Sequence, residues 1–121
     1  VASGFKVLQL EAEYFYRALG INLKQLYGQT EASARLAWLP PERLPEKYGS
    51  IGVGIPGISL TVRRSDGTEC ADGEVGEVVV TTLNPDYPLI RFATGDLSAV
   101  MPGLSPCGRT NMRIKGWMGR A

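Results

Sequence analysis

The stretch Val75-Gly76-Glu77-Val78-Val79-Val80-Thr81-Thr82 decides the fold, because a run of β-branched side chains fits a pleated strand better than a helix. A second such run, Ser59-Leu60-Thr61-Val62-Arg63, lies upstream of it. Between them Ser65 to Gly73 carries the turn pairs Asp66-Gly67 and Asp72-Gly73. This order predicts an antiparallel, hairpin-like pair. Working outward toward the C-terminus, Leu89 to Phe92, Leu97 to Met101 and Arg113 to Met118 read as three further short strands. Thr94-Gly95-Asp96 breaks the first two apart, and Pro102 to Gly108 precedes the third.

Working outward in the other direction, Pro40 to Gly57 is crowded with proline and glycine and reads as a long connection rather than a regular element. Before it, Leu8, Ala12, Phe15, Tyr16 and Leu19 recur at three- and four-residue steps, which predicts an amphipathic helix capped by Gly20. Ile21 to Tyr27 reads as a short strand with Ile21, Leu23 and Leu26 pointing inward. The expected class is α+β, mostly β: a helix-strand unit over 1–39 and a β-barrel-like antiparallel subdomain over 40–121. No internal repeat or low-complexity tract is present.

The chain has 121 residues, 13 basic against 12 acidic, for a net charge of +1. That balance supplies no broad field for nucleic acid or an anionic membrane. No apolar run approaches the roughly 20 residues that span a bilayer, and the start shows no charged-then-apolar leader, so a cytoplasmic protein is expected. Cys70 and Cys107 lack CxxC spacing, and with no histidine in the sequence a zinc set is incomplete; two free thiols are expected. The missing histidine also excludes a serine or cysteine triad built from these residues alone. Chemistry here must run on carboxylates, metal and phosphate.

Tyr27-Gly28-Gln29-Thr30-Glu31 puts an aromatic ring, a flexible turn, a hydroxyl and a carboxylate at a strand end. A tyrosine face can stack on a purine, a threonine hydroxyl can donate to a phosphate oxygen, and a glutamate is a hard oxygen ligand for Mg²⁺. The alternative is a polar turn in which Thr30 or Glu31 caps the next segment. In Phe92-Ala93-Thr94-Gly95-Asp96 a carboxylate follows a glycine turn, and one aspartate can accept from both hydroxyls of a ribose. Gly-Asp pairs are also common in ordinary turns. Gly52-x-Gly54-x-x-Gly57 has the spacing of a dinucleotide fingerprint, but a proline-rich loop leads into it and β-like residues follow, so the glycines are read as turn formers.

Tyr27-Gly28-Gln29-Thr30-Glu31 resembles the adenine- and phosphate-binding motif of the adenylate-forming acyl-CoA synthetase superfamily, and Phe92 to Asp96 resembles its aromatic-x-x-Thr-Gly-Asp motif. Gly49 to Gly57 is similar to that superfamily's glycine-proline linker, and Gly73-Glu74-Val75-Gly76-Glu77-Val78 to its Gly-Glu-x-Gly-Glu-Leu strand, with Glu74 and Glu77 read as structural. Pro88 to Phe92, Pro106-Cys107-Gly108-Arg109-Thr110 and Gly116 to Arg120 look like phenylacetate-CoA ligases in particular. The resemblance implies ATP and Mg²⁺ as cofactors, CoA as co-substrate, and a small aryl or acyl acid as substrate. It implies that Tyr27 packs on adenine, Gly28 and Gln29 line the nucleotide, Thr30 and Glu31 act in catalysis with Glu31 on the metal, and Asp96 and Arg120 hold the ribose. The turn at 27–31 and Asp96 are expected to converge on one cleft.

Two departures bear on this. Ser3-Gly4-Phe5-Lys6 stands where many relatives have a small-residue pocket strand, and the chain ends at Gly119-Arg120-Ala121, where the motif would run on to an aspartate hinge. The resemblance also implies a phosphate loop upstream and a lysine on a C-terminal domain, neither of which occurs here. The chain is therefore expected to be part of a larger protein and to form no thioester alone, with a homodimer as one expected assembly. Two other readings stay open: a non-catalytic β-rich nucleotide-binding or regulatory module, and a small barrel binding single-stranded nucleic acid through Arg109, Arg113, Lys115, Trp117 and Arg120.

Overall fold

A computed structural model describes residues 11, 14–20, 25–32, 35–47, 50–106 and 108–121. Ile21, Leu23 and Cys107, and the start of the expected helix, lie outside the described residues. The chain divides into two compact units, Val1–Ile55 and Pro56–Ala121. Among the described residues no helix is long and apolar enough to cross a membrane.

In the first unit residues 14–18 are helical, and the helix closes as its sequence predicts. Gly20 takes φ +73°, and its N–H donates to the Arg17 carbonyl at 3.0 Å, the left-handed cap that glycine adopts without a Cβ penalty. Three short strands follow: β1 (Gln25–Tyr27), β2 (Ala37–Leu39) and β3 (Val53–Gly54). They form an antiparallel sheet in that order, with Tyr27 opposite Ala37 and Trp38 opposite Val53. Leu36, Ala37 and Leu39 are buried.

Two expectations are corrected in this unit. Leu26 is exposed rather than inward; it lies between Gln25 and Tyr27, and a strand alternates its faces, so only one set can turn to the interior. The segment from Pro40 is not devoid of regular structure: it holds a 3₁₀ turn (Pro41–Arg43), one helical turn (Leu44–Lys47) and β3. Proline at a first helical position loses no hydrogen bond that the helix would have made, so Pro41 starts a turn instead of preventing one.

The second unit is a four-stranded antiparallel sheet in the order β4-β5-β6-β7, comprising β4 (Ile58–Arg63), β5 (Val75–Thr82), β6 (Leu89–Met101) and β7 (Arg113–Ile114). β4 and β5 pair as the sequence predicts, from Ile58 opposite Thr82 to Arg63 opposite Glu77. The register places Leu60, Val62, Val78, Val80 and Phe92 on one face. Val62 and Val80 are fully buried there, each contributing about 1.5–3 kcal/mol relative to an exposed position. Gly76 interrupts the valines because a Cβ would meet the Cys70 sulfur and the Arg63 carbonyl oxygen, a close approach only glycine permits. Burial raises the pKa of the free Cys70 thiol.

Among the described residues the sheet is open, with no pairing of β4 to β7, so the mostly-β expectation holds without a closed barrel. The two strands expected at Leu89–Phe92 and Leu97–Met101 are one 13-residue strand. Thr94-Gly95-Asp96 does not end it. From Glu77 opposite Leu97 the pairing jumps to Val79 opposite Ala93, so those three residues form a bulge facing Val78. A second slip, between Val80 opposite Phe92 and Thr82 opposite Leu89, is taken up at Arg91, whose φ is +52°. Bulges interrupt the ladder locally, tighten the twist of a strand and redirect its side chains without ending the strand. The expected strand at Arg113–Met118 is shorter, ending at Ile114, after which the chain continues beside β6 through single contacts: the Met118 N–H donates to the Leu97 carbonyl and the Leu97 N–H to the Gly119 carbonyl, both at 2.9 Å.

The β4–β5 connection is held by charge. Arg64 grips both carboxylate oxygens of Glu74, and Glu74 also accepts from the Ala71 N–H at 2.9 Å. These bonds hold the Glu74 pKa below the ordinary glutamate range, the Arg64 bond first; the Thr68 hydroxyl and N–H lower that of Asp66 in the same turn. A carboxylate with a lowered folded-state pKa adds stability above its unfolded pKa and loses it as pH falls through the folded value. Thermal midpoints of the wild type and E74Q are therefore expected to differ near neutrality, with the gap closing on acidification below the glutamate range. A gap that stays constant down to low pH would remove the ion pair from the account.

Candidate functional site

In the first unit the expected nucleotide motif begins at the end of β1. The Leu36 N–H donates to the Tyr27 carbonyl at 2.8 Å, which closes the loop between β1 and β2 and fixes where the motif starts. Tyr27 and Gln29 are half-buried, and Gly28 is exposed. The Ala32 N–H donates to the Gln29 carbonyl at 3.1 Å, turning Thr30–Ala32 into a 3₁₀ turn. Ala32 is its buried anchor, while Thr30 and Glu31 are exposed. The turn thus presents a hydroxyl and a carboxylate outward from a backbone tied at both ends.

No ion pair among the described residues engages Glu31, and no group of three or more potential ligands gathers there to form an all-protein metal cage. Mg²⁺ rarely uses such cages; it keeps most of its water and takes one or two carboxylates together with phosphate oxygens. Among the described residues, a single outward glutamate therefore has the chemistry to take one position on a hydrated magnesium nucleotide.

In the second unit the bulge at Thr94-Gly95-Asp96 is locked from three sides. The Thr94 hydroxyl donates to the Val78 carbonyl at 2.8 Å, the Gly95 N–H donates to the Glu77 carboxylate at 2.8 Å, and the Asp96 N–H donates to the Thr94 hydroxyl at 3.2 Å. Glu77 is therefore structural, as its sequence context implies. Gly95, at φ +73°, lies so close under the Arg120 guanidinium that a Cβ would sit 2.8 Å from it.

Asp96 is 8% exposed, and a buried carboxylate needs partners. Its Oδ1 accepts from Arg120 Nη1 at 2.7 Å and from the Trp117 indole N–H at 3.2 Å. Arg120 also donates to the Thr94 carbonyl at 3.3 Å. Asp96 and Arg120 form a β-bridge, and the Ala121 N–H donates to the Gly95 carbonyl at 2.8 Å. The sequence candidates Asp96 and Arg120 are thus in direct contact, although 24 residues separate them. The sequence offers Trp117 only as part of a nucleic-acid surface; the structure puts it instead beside Asp96, and its place three residues before Arg120 in Gly116-Trp117-Met118-Gly119-Arg120 is the signal that pointed there.

Each unit carries one of the two motifs in an ordered setting, and the chain as a whole is similar in sequence and fold to known proteins. A family model described as AMP-binding enzyme matches residues 1–84. The phenylacetate-coenzyme A ligase of Escherichia coli (strain K12) is 45% identical over 56 residues, 46% of this chain and 13% of that protein. The phenylacetate-coenzyme A ligase of Thermus thermophilus is 31% identical over 103 residues, 84% of this chain and 23% of that protein. Among solved structures, the unliganded O-succinylbenzoate coenzyme A synthetase of Bacillus subtilis superimposes with a TM-score of 0.58 at 26% identity, covering 87% of this chain and 24% of that one. The same enzyme in complex with AMP gives 0.54 at 28% identity, covering 73% and 21%. The chain thus spans less than a quarter of the length of these proteins. With the family match extending over most of its residues, and with adenylate-forming acyl- and aryl-CoA ligases as its relatives in both sequence and fold, the chain belongs to the AMP-binding enzyme family.

Proposed function

We propose that this chain is part of an ATP-dependent acid-thiol ligase, most like a phenylacetate-CoA ligase, that converts an aryl or acyl carboxylate to its adenylate and then to a CoA thioester. The observation that carries the reading is the locked Thr94-Gly95-Asp96 bulge with Arg120 paired to Asp96. A bulge held by side-chain bonds, with a nearly buried carboxylate inside it, is more construction than a surface turn needs.

The chemistry follows from a poor leaving group. A carboxylate would have to expel oxide, so its oxygen first attacks the α-phosphorus of ATP, the bond to the bridging oxygen breaks, and pyrophosphate departs. The thiol of CoA then adds to the acyl carbon and AMP leaves with the electron pair of the acyl–oxygen bond, the thiol proton passing to solvent. In this scheme, as the resemblance of residues 27–31 implies, Tyr27 packs on adenine, Gly28 and Gln29 line it, and Thr30 donates to the α-phosphate as charge builds there. Glu31 would hold Mg²⁺, which would supply neutralisation of phosphate charge. The resemblance of residues 92–96 and 116–120 gives Asp96 the role of accepting from the ribose hydroxyls and Arg120 that of contacting them.

The ligase is proposed to need more chain than these 121 residues, because they contain neither a glycine- and serine-rich phosphate loop nor the lysine domain implied by the resemblance. The test is a thioester-formation screen over aryl and fatty acids with ATP and CoA, on the full-length protein and on this chain alone. The expected result is ATP-dependent thioester from the full-length protein, with aryl acids preferred, and none from the isolated chain. AMP binding without turnover of any acid would instead identify a non-catalytic nucleotide-binding module.

A further inference from the structure

Glu77 is the odd residue of its strand. β5 runs on through Val78, Val79 and Val80, and strands favour valine over glutamate. Arg63 lies directly opposite on β4, which offers the ordinary reason for a glutamate there, a cross-strand ion pair. That pair does not form. Arg63 gives its nitrogens to the Thr61 hydroxyl at 3.1 Å, the Gly67 carbonyl at 2.7 Å and the Glu69 carboxylate at 2.8 Å, and among the described residues no ion pair engages Glu77. The half-buried Glu77 carboxylate turns instead to the bulge of β6 and accepts the Gly95 N–H at 2.8 Å.

Gly95 is the point at which that bulge could change shape. Glycine takes positive and negative φ about equally well, so its conformation at φ +73° has to be selected by partners. Its carbonyl accepts from the Ala121 N–H at 2.8 Å. Its N–H lies outside the β5–β6 ladder, which passes from Leu97 to Ala93 without pairing it, and Glu77 is the group that receives it. We infer that Glu77 is a positioning residue: by holding the Thr94–Gly95 peptide in one orientation it places the backbone of Asp96, and so sets how sharply the site tells a ribose from a deoxyribose. The inference rests on the proposed ribose role of Asp96. It concerns the direction in which the Asp96 side chain leaves the strand, which the backbone fixes whatever partners the carboxylate itself has. Without Glu77 the Gly95 N–H would lose a charge-assisted bond and the peptide could turn over. The acceptor offered to a sugar hydroxyl would then shift, and hydrogen bonds weaken steeply when misaligned. Glu77 itself touches no substrate in this scheme.

The test uses the full-length protein with AMP, 2′-deoxyAMP and 3′-deoxyAMP as probes, their Kd values measured by calorimetry. Glu77→Val suits the strand and deletes the acceptor, whereas Glu77→Gln removes the charge and keeps a carbonyl oxygen for the same N–H. E77V is expected to reduce the preference for AMP over the deoxy analogues about fivefold, a loss within the range of one hydrogen bond to a charged group, and E77Q to retain most of it. Asp96→Asn is expected to abolish most of the preference. If E77V weakens all three ligands equally, matches E77Q, or leaves the preference intact while D96N destroys it, the positioning role is wrong and the ribose reading stands. If D96N leaves the preference unchanged, the ribose reading itself fails and takes the inference with it. Should E77V not fold, Glu77→Ala, which also lacks an acceptor, carries the same comparison.

Discussion

Glu31→Gln in the full-length protein is expected to lower the rate of ATP-dependent adenylate formation about 100-fold or more, the scale on which removal of one preorganised electrostatic group acts at a phosphoryl or acyl centre. The substitution keeps the size, removes the charge and turns one of the two acceptor oxygens into an NH₂ donor. Glu31 projects from a 3₁₀ turn whose anchor, Ala32, is buried while the glutamate is exposed, so the variant should fold normally. The competing account, in which Glu31 merely favours the start of the turn, predicts a cost of about 0.3–1 kcal/mol in stability and an unchanged rate. Pyrophosphate release with an acid identified by screening, measured across a magnesium titration, separates the two. A metal-holding role raises the half-saturating magnesium concentration together with the loss of rate; an unaltered magnesium dependence would remove Glu31 from the catalytic set.

Gly52→Ala is expected to be the more damaging by far of the two glycine-to-alanine changes at Gly52 and Gly54 in the first unit. Gly52 has φ +81°, and a Cβ there would overlap the carbonyl carbon and oxygen of Trp38 and the backbone nitrogen of Leu39. The left-handed conformation costs a non-glycine residue roughly 1–2 kcal/mol, and the overlap is with backbone of β2, which cannot swing aside as a side chain would. A total of about 3 kcal/mol or more follows, a large part of the roughly 5–15 kcal/mol that holds a typical domain. The denaturation midpoint is the measurement, with Gly54→Ala as the control, since a Cβ at Gly54 meets nothing within 4 Å. Equal effects of the two substitutions would mean that the approach of Gly52 to β2 is not what the fold depends on. The glycine spacing that mimics a dinucleotide fingerprint therefore serves strand packing, at least at Gly52.

The β4–β5 pair was legible because its signals are local: β-branched residues in each strand and Asp-Gly turns between them. The continuity of β6 was not. Thr94-Gly95-Asp96 carries the same turn chemistry whether the chain ends a strand there or bulges out of one. What decides is the Glu77 carboxylate and the Val78 carbonyl on the neighbouring strand, partners 16 and 18 residues away. The one-turn helix at Leu44–Lys47 was hidden in a similar way, since Pro45 within it and Pro40 and Pro41 before it signal a break and a helical start alike. At the site, the motif residues could be named individually from resemblance, but the direct pairing of Asp96 with Arg120 depends on the return of the chain beside β6, a long-range event with no pattern in either segment. The bond from Trp117 to Asp96 depends on the same return of the chain; in the sequence alone the indole is one of the aromatic or cationic groups of a tail that resembles a nucleic-acid surface.

The slip at Arg91 changes what kinds of sequence drift this strand can absorb. With one extra residue taken up there, an insertion or deletion in the hairpin tip around 83–88 can be compensated before it reaches Phe92, and the inside–outside phase of everything downstream is preserved. Lineages could therefore lengthen, shorten or recompose that tip while Asp96 kept its aim. A single-residue indel between Phe92 and Thr94 has no such buffer and would rotate the carboxylate to the opposite side of the sheet.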